Sequence, residues 1–305
     1  GATLFRYSQS LVKRPIKTLF FYGDSISTIK GHSVTIDSKK NPDRENISNT
    51  KYDSFGILAY SIKNVAFDMT GDFKLDNEQQ GIALKQWQNG EGKLNVGAKN
   101  IQITCNDPNE ALSVYNPKEN KNNTHGRIGV YAWGYLPETT ANMTLKAVEN
   151  LDISGYSTAL KGVGYTNMEL SGRNIHLDAN PQDGTGKIGV YLNGASSDNS
   201  KVSLQSQDRL TITGGTGEEG RGIVDFGGRV DGQAKALTVS GSQFALYANG
   251  GGVINLTASN KADYQGDISA YRESEFHLSG NSNQVEGQVG AYDGSSIVFA
   301  GKDNP

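Results

Sequence analysis

The sequence predicts an all-β protein: a right-handed parallel β-helix, or β-solenoid, with roughly three strands per coil. Three observations predict it. The chain repeats itself: Gly129-Val130-Tyr131 after Ile128 returns as Gly189-Val190-Tyr191 after Ile188, and looser copies end at Tyr60, Phe226, Tyr247, Tyr271 and Tyr292. A second phrase, Asn150-Leu151-Asp152-Ile153-Ser154-Gly155, resembles Arg209-Leu210-Thr211-Ile212-Thr213-Gly214 and Ala236-Leu237-Thr238-Val239-Ser240-Gly241. Self-similarity at a few tens of residues is the mark of a stacked-repeat architecture. Apolar and polar residues also alternate, as half-buried strands require. Finally, 38 Gly, with many Asn, Ser and Thr, supply corners, and only seven Pro occur, so the strands are not interrupted.

Taken in order, residues 1–30 are less repetitive and are expected to cap the stack or continue it. Residues 31–305 are expected to form the solenoid, with side loops. Alternation is clear in Ser33-Val34-Thr35-Ile36-Asp37, Lys93-Leu94-Asn95-Val96, Lys201-Val202-Ser203-Leu204 and Glu275-Phe276-His277-Leu278. One full unit reads Ile188-Val190-Tyr191, then Val202-Ser203-Leu204, then Leu210-Thr211-Ile212. Few junctions carry the Asn-Gly turns that sequential hairpins need, so the strands coil and stack in parallel, right-handed by the crossover rule. Ile128, Val130, Ile153, Ile188, Val190, Ile212 and Val239 are expected inward. About ten coils at roughly 4.8 Å give a rod of roughly 50 Å with open ends. Tyr115 and Tyr131 stand too close for a full coil, so 105–127 is expected to protrude as a loop or hairpin. Other insertions are 38–54, 133–141, 179–186, 193–200 and 214–221. Several of them precede the Ile-Gly-Val-Tyr strand, which places them on one side of the rod.

Composition excludes some functions. Lys plus Arg is 29 against 32 Asp plus Glu, a balance that speaks against a nucleic-acid partner. Cys105 is the only cysteine, so neither an intrachain disulfide nor a cysteine metal cluster is available. No metal site and no cofactor is expected. The chain starts at Gly1 and shows no signal segment or apolar 20-residue span, so it is read as a soluble protein or a soluble piece of a larger one.

The two repeated phrases, the scarcity of cysteine and the polar corners together resemble the passenger region of Gram-negative autotransporters, over roughly 30–305. The resemblance implies a β-helix carried to the bacterial surface or secreted, as the passenger of an outer-membrane-anchored protein. It also implies a non-enzymatic adhesin that binds a protein or glycan on host or bacterial cells, self-association included. The alternatives are a polysaccharide-acting enzyme on the same scaffold and a passive stalk.

Phe21-Tyr22-Gly23-Asp24-Ser25-Ile26 resembles the nucleophile block of GDSL esterases. None of His32, His125, His176 and His277 follows an acid three residues earlier, as the partner block requires, so Ser25 is read as a turn residue and no catalytic residue is assigned. A polysaccharide-acting enzyme needs convergent carboxylates. Asp225 is the best candidate, with Glu218, Glu219 and Asp231 nearby in sequence. Because burying Asp225 is costly, a local register switch is expected to expose it. For binding, the expected residues are Trp133, Tyr135, Tyr131 and Tyr191. The Tyr series points outward and offers a platform for sugar rings or partner side chains, besides supporting the stack. Trp133-Gly134-Tyr135-Leu136-Pro137 places three large apolar residues in a corner insertion, where they either form a local mini-core or meet a partner. Trp87 is a weaker case of the same kind. Arg127 and Lys187 are expected at the rim.

Overall fold

The computed structural model describes residues 18–38, 55–77, 80–105, 114–116, 121–123, 128–179, 187–217 and 219–301. The described chain is a β-solenoid of ten coils. A first row stacks Leu19–Tyr22, Phe55–Tyr60, Gln80–Gln86, Ile128–Gly134, Thr158–Gly164, Ile188–Gly194 and Arg221–Phe226, then the last thirds of Arg229–Asn249 and Val253–Ala270, then Val289–Ala291. A second row runs from Ile26–Gly31 to Ser296–Ala300, and a third begins at Val34–Ser38. All of these pairs are parallel. The antiparallel pair Val114–Asn116 with Lys121–Asn123 stands apart, inside the expected protrusion 105–127. Residues 19–31 are strands of the first coil, and 1–17 lie outside the described residues.

The rows hold because alternation buries columns of apolar side chains on each face. In the first row Ile57, Ile82, Val130, Leu160, Val190, Ile223, Leu246 and Ile268 are stacked in register and fully buried. Each such side chain contributes about 1.5–3 kcal/mol on leaving water. In the second row Val65, Leu94, Met143, Met168, Val202, Val230, Ile254 and Phe276 do the same. At the start of the third row an amide ladder joins Asp72, Asn100, Asn150 and Asn174, with side-chain bonds of 2.9–3.3 Å. Cys105 is a buried thiol.

Glycine in the repeated phrase has a steric cause. The pairing register passes over Gly129 and Gly189 at the bend into the first row. A Cβ at Gly189 would stand 2.5 Å from the Cγ2 of Ile212 and 2.8 Å from the Gly222 carbonyl, and one at Gly129 would run into Ile153. The bend breaks the two-residue period one step early. Ile128 and Ile188, both expected inward, therefore do not join the main core cluster: Ile128 is buried beside it, and Ile188 is partly exposed.

Long insertions are confined to two corners, while the second-to-third corner changes by a single residue between coils, as at the register shifts Gln205/Arg209 and Ala258/Lys261. The second-to-third corner never exceeds two residues, as at His32-Ser33, or the strand runs straight through it. The insertions 38–54, 105–127, 179–186 and 214–221 all fall between the third and first rows. Those at 133–141 and 193–200 fall between the first and second rows. Both corners border the first face. At the far end the last coil leaves Val289 and Val298 each 47% exposed.

Candidate functional site

Outward side chains of the first row form two columns, beside a bend position that carries Phe55, Gln80, Ile128, Thr158, Ile188, Arg221, Phe244 and Asp267 in register. One carries Phe20, Leu58, Ala83, Tyr131, Lys161, Tyr191, Val224 and Tyr247. The other carries Tyr22, Tyr60, Lys85, Trp133, Val163, Asn193, Phe226 and Asn249. Neither column contains an acid. Rings touch along much of the rod: Tyr22 stacks on Tyr60, and Tyr191, Phe226, Tyr247, Tyr271 and Tyr292 follow at centroid spacings of 4.7–5.9 Å. Between these two runs, lysines intervene. The Lys85 ammonium lies 5.6 Å from the Tyr131 ring centre, and that of Lys161 lies 5.4 Å from both the Tyr131 and the Tyr191 rings. Arg221 sits 5.7 Å from Phe244 and from Tyr247. Burial, and then the neighbouring Lys85 charge, hold the Lys161 ammonium below the usual lysine range. Burial raises the Tyr191 phenol, opposed by its hydrogen bond with Asn193 and by Arg221.

Trp133 differs from its expected place. It is not in the corner but on the strand Ile128–Gly134, two residues beyond Tyr131 and paired with Lys85 and Val163. Gly134 closes the strand, and a 3-10 turn, Pro137–Thr139, fills the corner. Trp87, from the coil before, joins the group. It meets Trp133 at 4.7 Å and lies flat on Tyr135 at 4.9 Å. Tyr135 is 52% exposed and Leu136 40%. The cluster is thus packed on itself and open to solvent at the same time. Sequence reasoning gave Trp87 little weight and passed over Lys85 and Lys161. Lys161 occupies the repeat position of Tyr131 and Tyr191, a signal that aligning Ala159-Leu160-Lys161 with Gly129-Val130-Tyr131 would have disclosed. Arg127 lies outside the described residues, and Lys187 pairs with Glu219 at 3.5 Å.

The acids singled out in the sequence, Asp225, Glu219 and Asp231, do not come together among the described residues; elsewhere, on the third row, Asp152 and Asp178 both meet His176, at 3.0 and 3.9 Å. Asp225 was expected to be exposed by a register switch, but the alternation persists and turns it inward, between Leu192 and Ala248. It is fully buried. The Gly228 N–H donates to its Oδ1 at 2.8 Å, while Oδ2 has no partner. Burial pushes this carboxyl up to about 7, opposed by the backbone N–H groups of Gly228 and Val253. Asp231 faces outward and pairs with Arg229 and Lys201, and Glu218 lies outside the described residues. A shallow groove of about 1100 Å³ crosses the second face past Lys146, Ser171, Gln205 and Gln233, and Glu169 is the only acid among its described lining residues.

The Ser25 hydroxyl donates to the Tyr22 carbonyl inside the turn opened by Gly23, which has φ +62°. His32 bonds Thr70, and His277 lies 3.7 Å from Glu275. His176 bonds Asp152 at 3.0 Å, and that bond raises its pKa against the effect of burial. His125 lies outside the described residues. Among the described residues no three acid, histidine or cysteine side chains come together as a metal site, and no helix is long and apolar enough to cross a membrane.

No family model matches the chain, and neither does any curated protein or solved structure.

Proposed function

We propose that this chain is a non-enzymatic adhesin rod: the surface-displayed or secreted passenger of a bacterial autotransporter, binding partners on host or bacterial cells through its first face and the corners beside it. The observation that carries this reading is the cluster of Trp87, Trp133, Tyr135 and Leu136. Its rings are mutually ordered, yet Tyr135 and Leu136 stay exposed. Aromatic anchors held rigid before contact lose little entropy on binding and commonly dominate an interface. The rings that continue along the face add weak contacts whose combined strength grows with the length engaged. The burial of Asp225, the acid the sequence singled out for glycoside chemistry, also favours binding at this face.

The test is adhesion. Cells displaying the chain should bind host cells or one another, and the purified chain should block that binding. Binding no better than that of cells without the chain would leave the rod a stalk. Release of reducing ends from a polysaccharide would make it an enzyme.

A further inference from the structure

We propose that the groove on the second face, at the edge where the second row turns into the third, binds a neutral β-1,4-linked glycan lying parallel to the rod axis. The site is separate from the first face and stands whether or not that face meets a partner.

Register is the first argument. This corner alternates in length from coil to coil. Counted between the paired columns that pass through Gln205 in the second row and Arg209 in the third, rather than between strand ends, it holds two residues at 31–32, 98–99, 172–173, 234–235 and 280–281, and three at 69–71, 147–149, 206–208 and 258–260. Short and long corners take turns without exception. Within the groove the short corners open with the small buried residues Gly172 and Ala234, and the long ones carry the exposed middle residues Val148, Gln207 and Ser259. The lip therefore repeats every two rungs, about 9.6 Å. In an extended β-1,4-linked glycan each sugar is turned over relative to the last, so the same edge returns every second sugar, at close to that interval. An extended peptide returns the same face about every 6.7 Å and falls out of step within a few rungs. A polyproline helix repeats at about 9.3 Å, but it is recognised on aromatic rings, and no ring is among the described lining residues.

Chemistry is the second argument. Ser171, Gln205, Gln233 and Thr257 stand in one outward column on successive rungs of the groove. None of these side chains has a hydrogen-bond partner among the described residues. A Gln amide both donates and accepts, as a pair of sugar hydroxyls does, so a column of free amides and hydroxyls matches a hydroxyl-rich chain. Val148, 63% exposed on the lip, offers an apolar contact to the C–H side of a sugar. Charge is nearly balanced. The lining carries Lys146 and Lys235 against Glu169, and Arg173 beside it is held by Glu149 at 2.9 Å. Ionic attraction therefore supplies little, which fits an uncharged ligand.

The full chain should be titrated by calorimetry with cellohexaose, chitohexaose and mannohexaose, all β-1,4-linked. Maltohexaose (α-1,4-linked), polygalacturonate (anionic) and a decaproline peptide are the comparisons. At least one of the three β-linked glycans should bind, and maltohexaose should bind at least tenfold more weakly. Raising the salt severalfold should change the affinity by no more than about twofold. Gln205→Ala with Gln233→Ala removes two exposed amides, so it should weaken binding about tenfold or more with an unchanged melting temperature. No binding of any β-linked glycan, maltohexaose binding as well as they do, or a folded double variant that binds like the wild type would each overturn the proposal. So would polygalacturonate or decaproline binding where the neutral glycans do not, since the groove would then be an anion site or a peptide site. If the double variant unfolds, Ser171→Ala and Thr257→Val replace it. Each should weaken binding severalfold, and unchanged affinity in both would overturn the proposal.

Discussion

The indole of Trp87 lies flat on the phenol ring of Tyr135, with 4.9 Å between centroids and 15° between planes, and meets Trp133 at 66°. Trp87 therefore touches both rings that the next coil contributes, while Tyr135 touches one and faces solvent. Removing them should have different consequences. Trp87→Ala should lower stability by about 2 kcal/mol and weaken adhesion. Tyr135→Ala should cost under about 1 kcal/mol yet weaken adhesion comparably. Urea denaturation and an adhesion assay on the two variants check this. Equal stability losses with adhesion intact would make the cluster a mini-core and nothing more.

Asp225 should make the rod less stable as pH rises. Its carboxyl ionises at 3.8 in the unfolded chain but near 7 in the folded one. Below pH 3.8 it is protonated in both states and has no effect. Between 3.8 and 7 the unfolded chain binds fewer protons, so stability falls, and above 7 the loss is complete, on the order of 4 kcal/mol. Asp225→Asn keeps an acceptor for the Gly228 N–H and should flatten the profile. Denaturation at pH 5 and pH 8 measures it. An identical pH dependence in the Asn variant would assign the slope to other groups.

Two buried tyrosines should respond oppositely to loss of the hydroxyl. Tyr156 donates to the Thr104 carbonyl at 3.0 Å, whereas the Tyr264 hydroxyl is buried without a partner. Tyr156→Phe should lose about 1 kcal/mol, and Tyr264→Phe should be neutral or gain about as much. Denaturant midpoints of the pair decide. A loss at Tyr264 equal to that at Tyr156 would contradict the assignment.

Gly189→Val should cost roughly 3 kcal/mol or more, because the added atoms enter space held by Ile212 and the Gly222 carbonyl. Gly189→Ala should cost less, since Ala159 fills the same register in the coil before. Thermal melts of the two variants test the order. A Val variant as stable as the Ala variant would show that the bend is open.

The inward columns were legible because alternation names them: Val130, Ile153, Val190, Ile212 and Val239 are all core residues. Ile188 was misplaced, and Ile128 is buried without joining the main core cluster, because counting in twos ignores the bend at the following glycine, whose cause is an isoleucine arriving from the third row. Asp225 was misjudged for the opposite reason. Alternation put it inward correctly, and the cost of burial argued against that position. What made burial tolerable, an amide at Gly228 and the room left by Gly228 and Gly252, is visible only in three dimensions. In the candidate site, the outward direction of Tyr131 and Tyr191 followed from the period. The meeting of Trp87 with Trp133 depends on stacking across a long insertion, and no local pattern reports it.

Because every long insertion is absorbed at two corners, register and ornament are inherited separately. A corner can grow, shrink or be replaced while each stacked pair keeps its partner, and a whole coil can be lost or duplicated with both cut ends still in phase. The tight second-to-third edge is the conservative margin of the rod. The two edges beside the first face are where descendants can diverge without relearning how to fold.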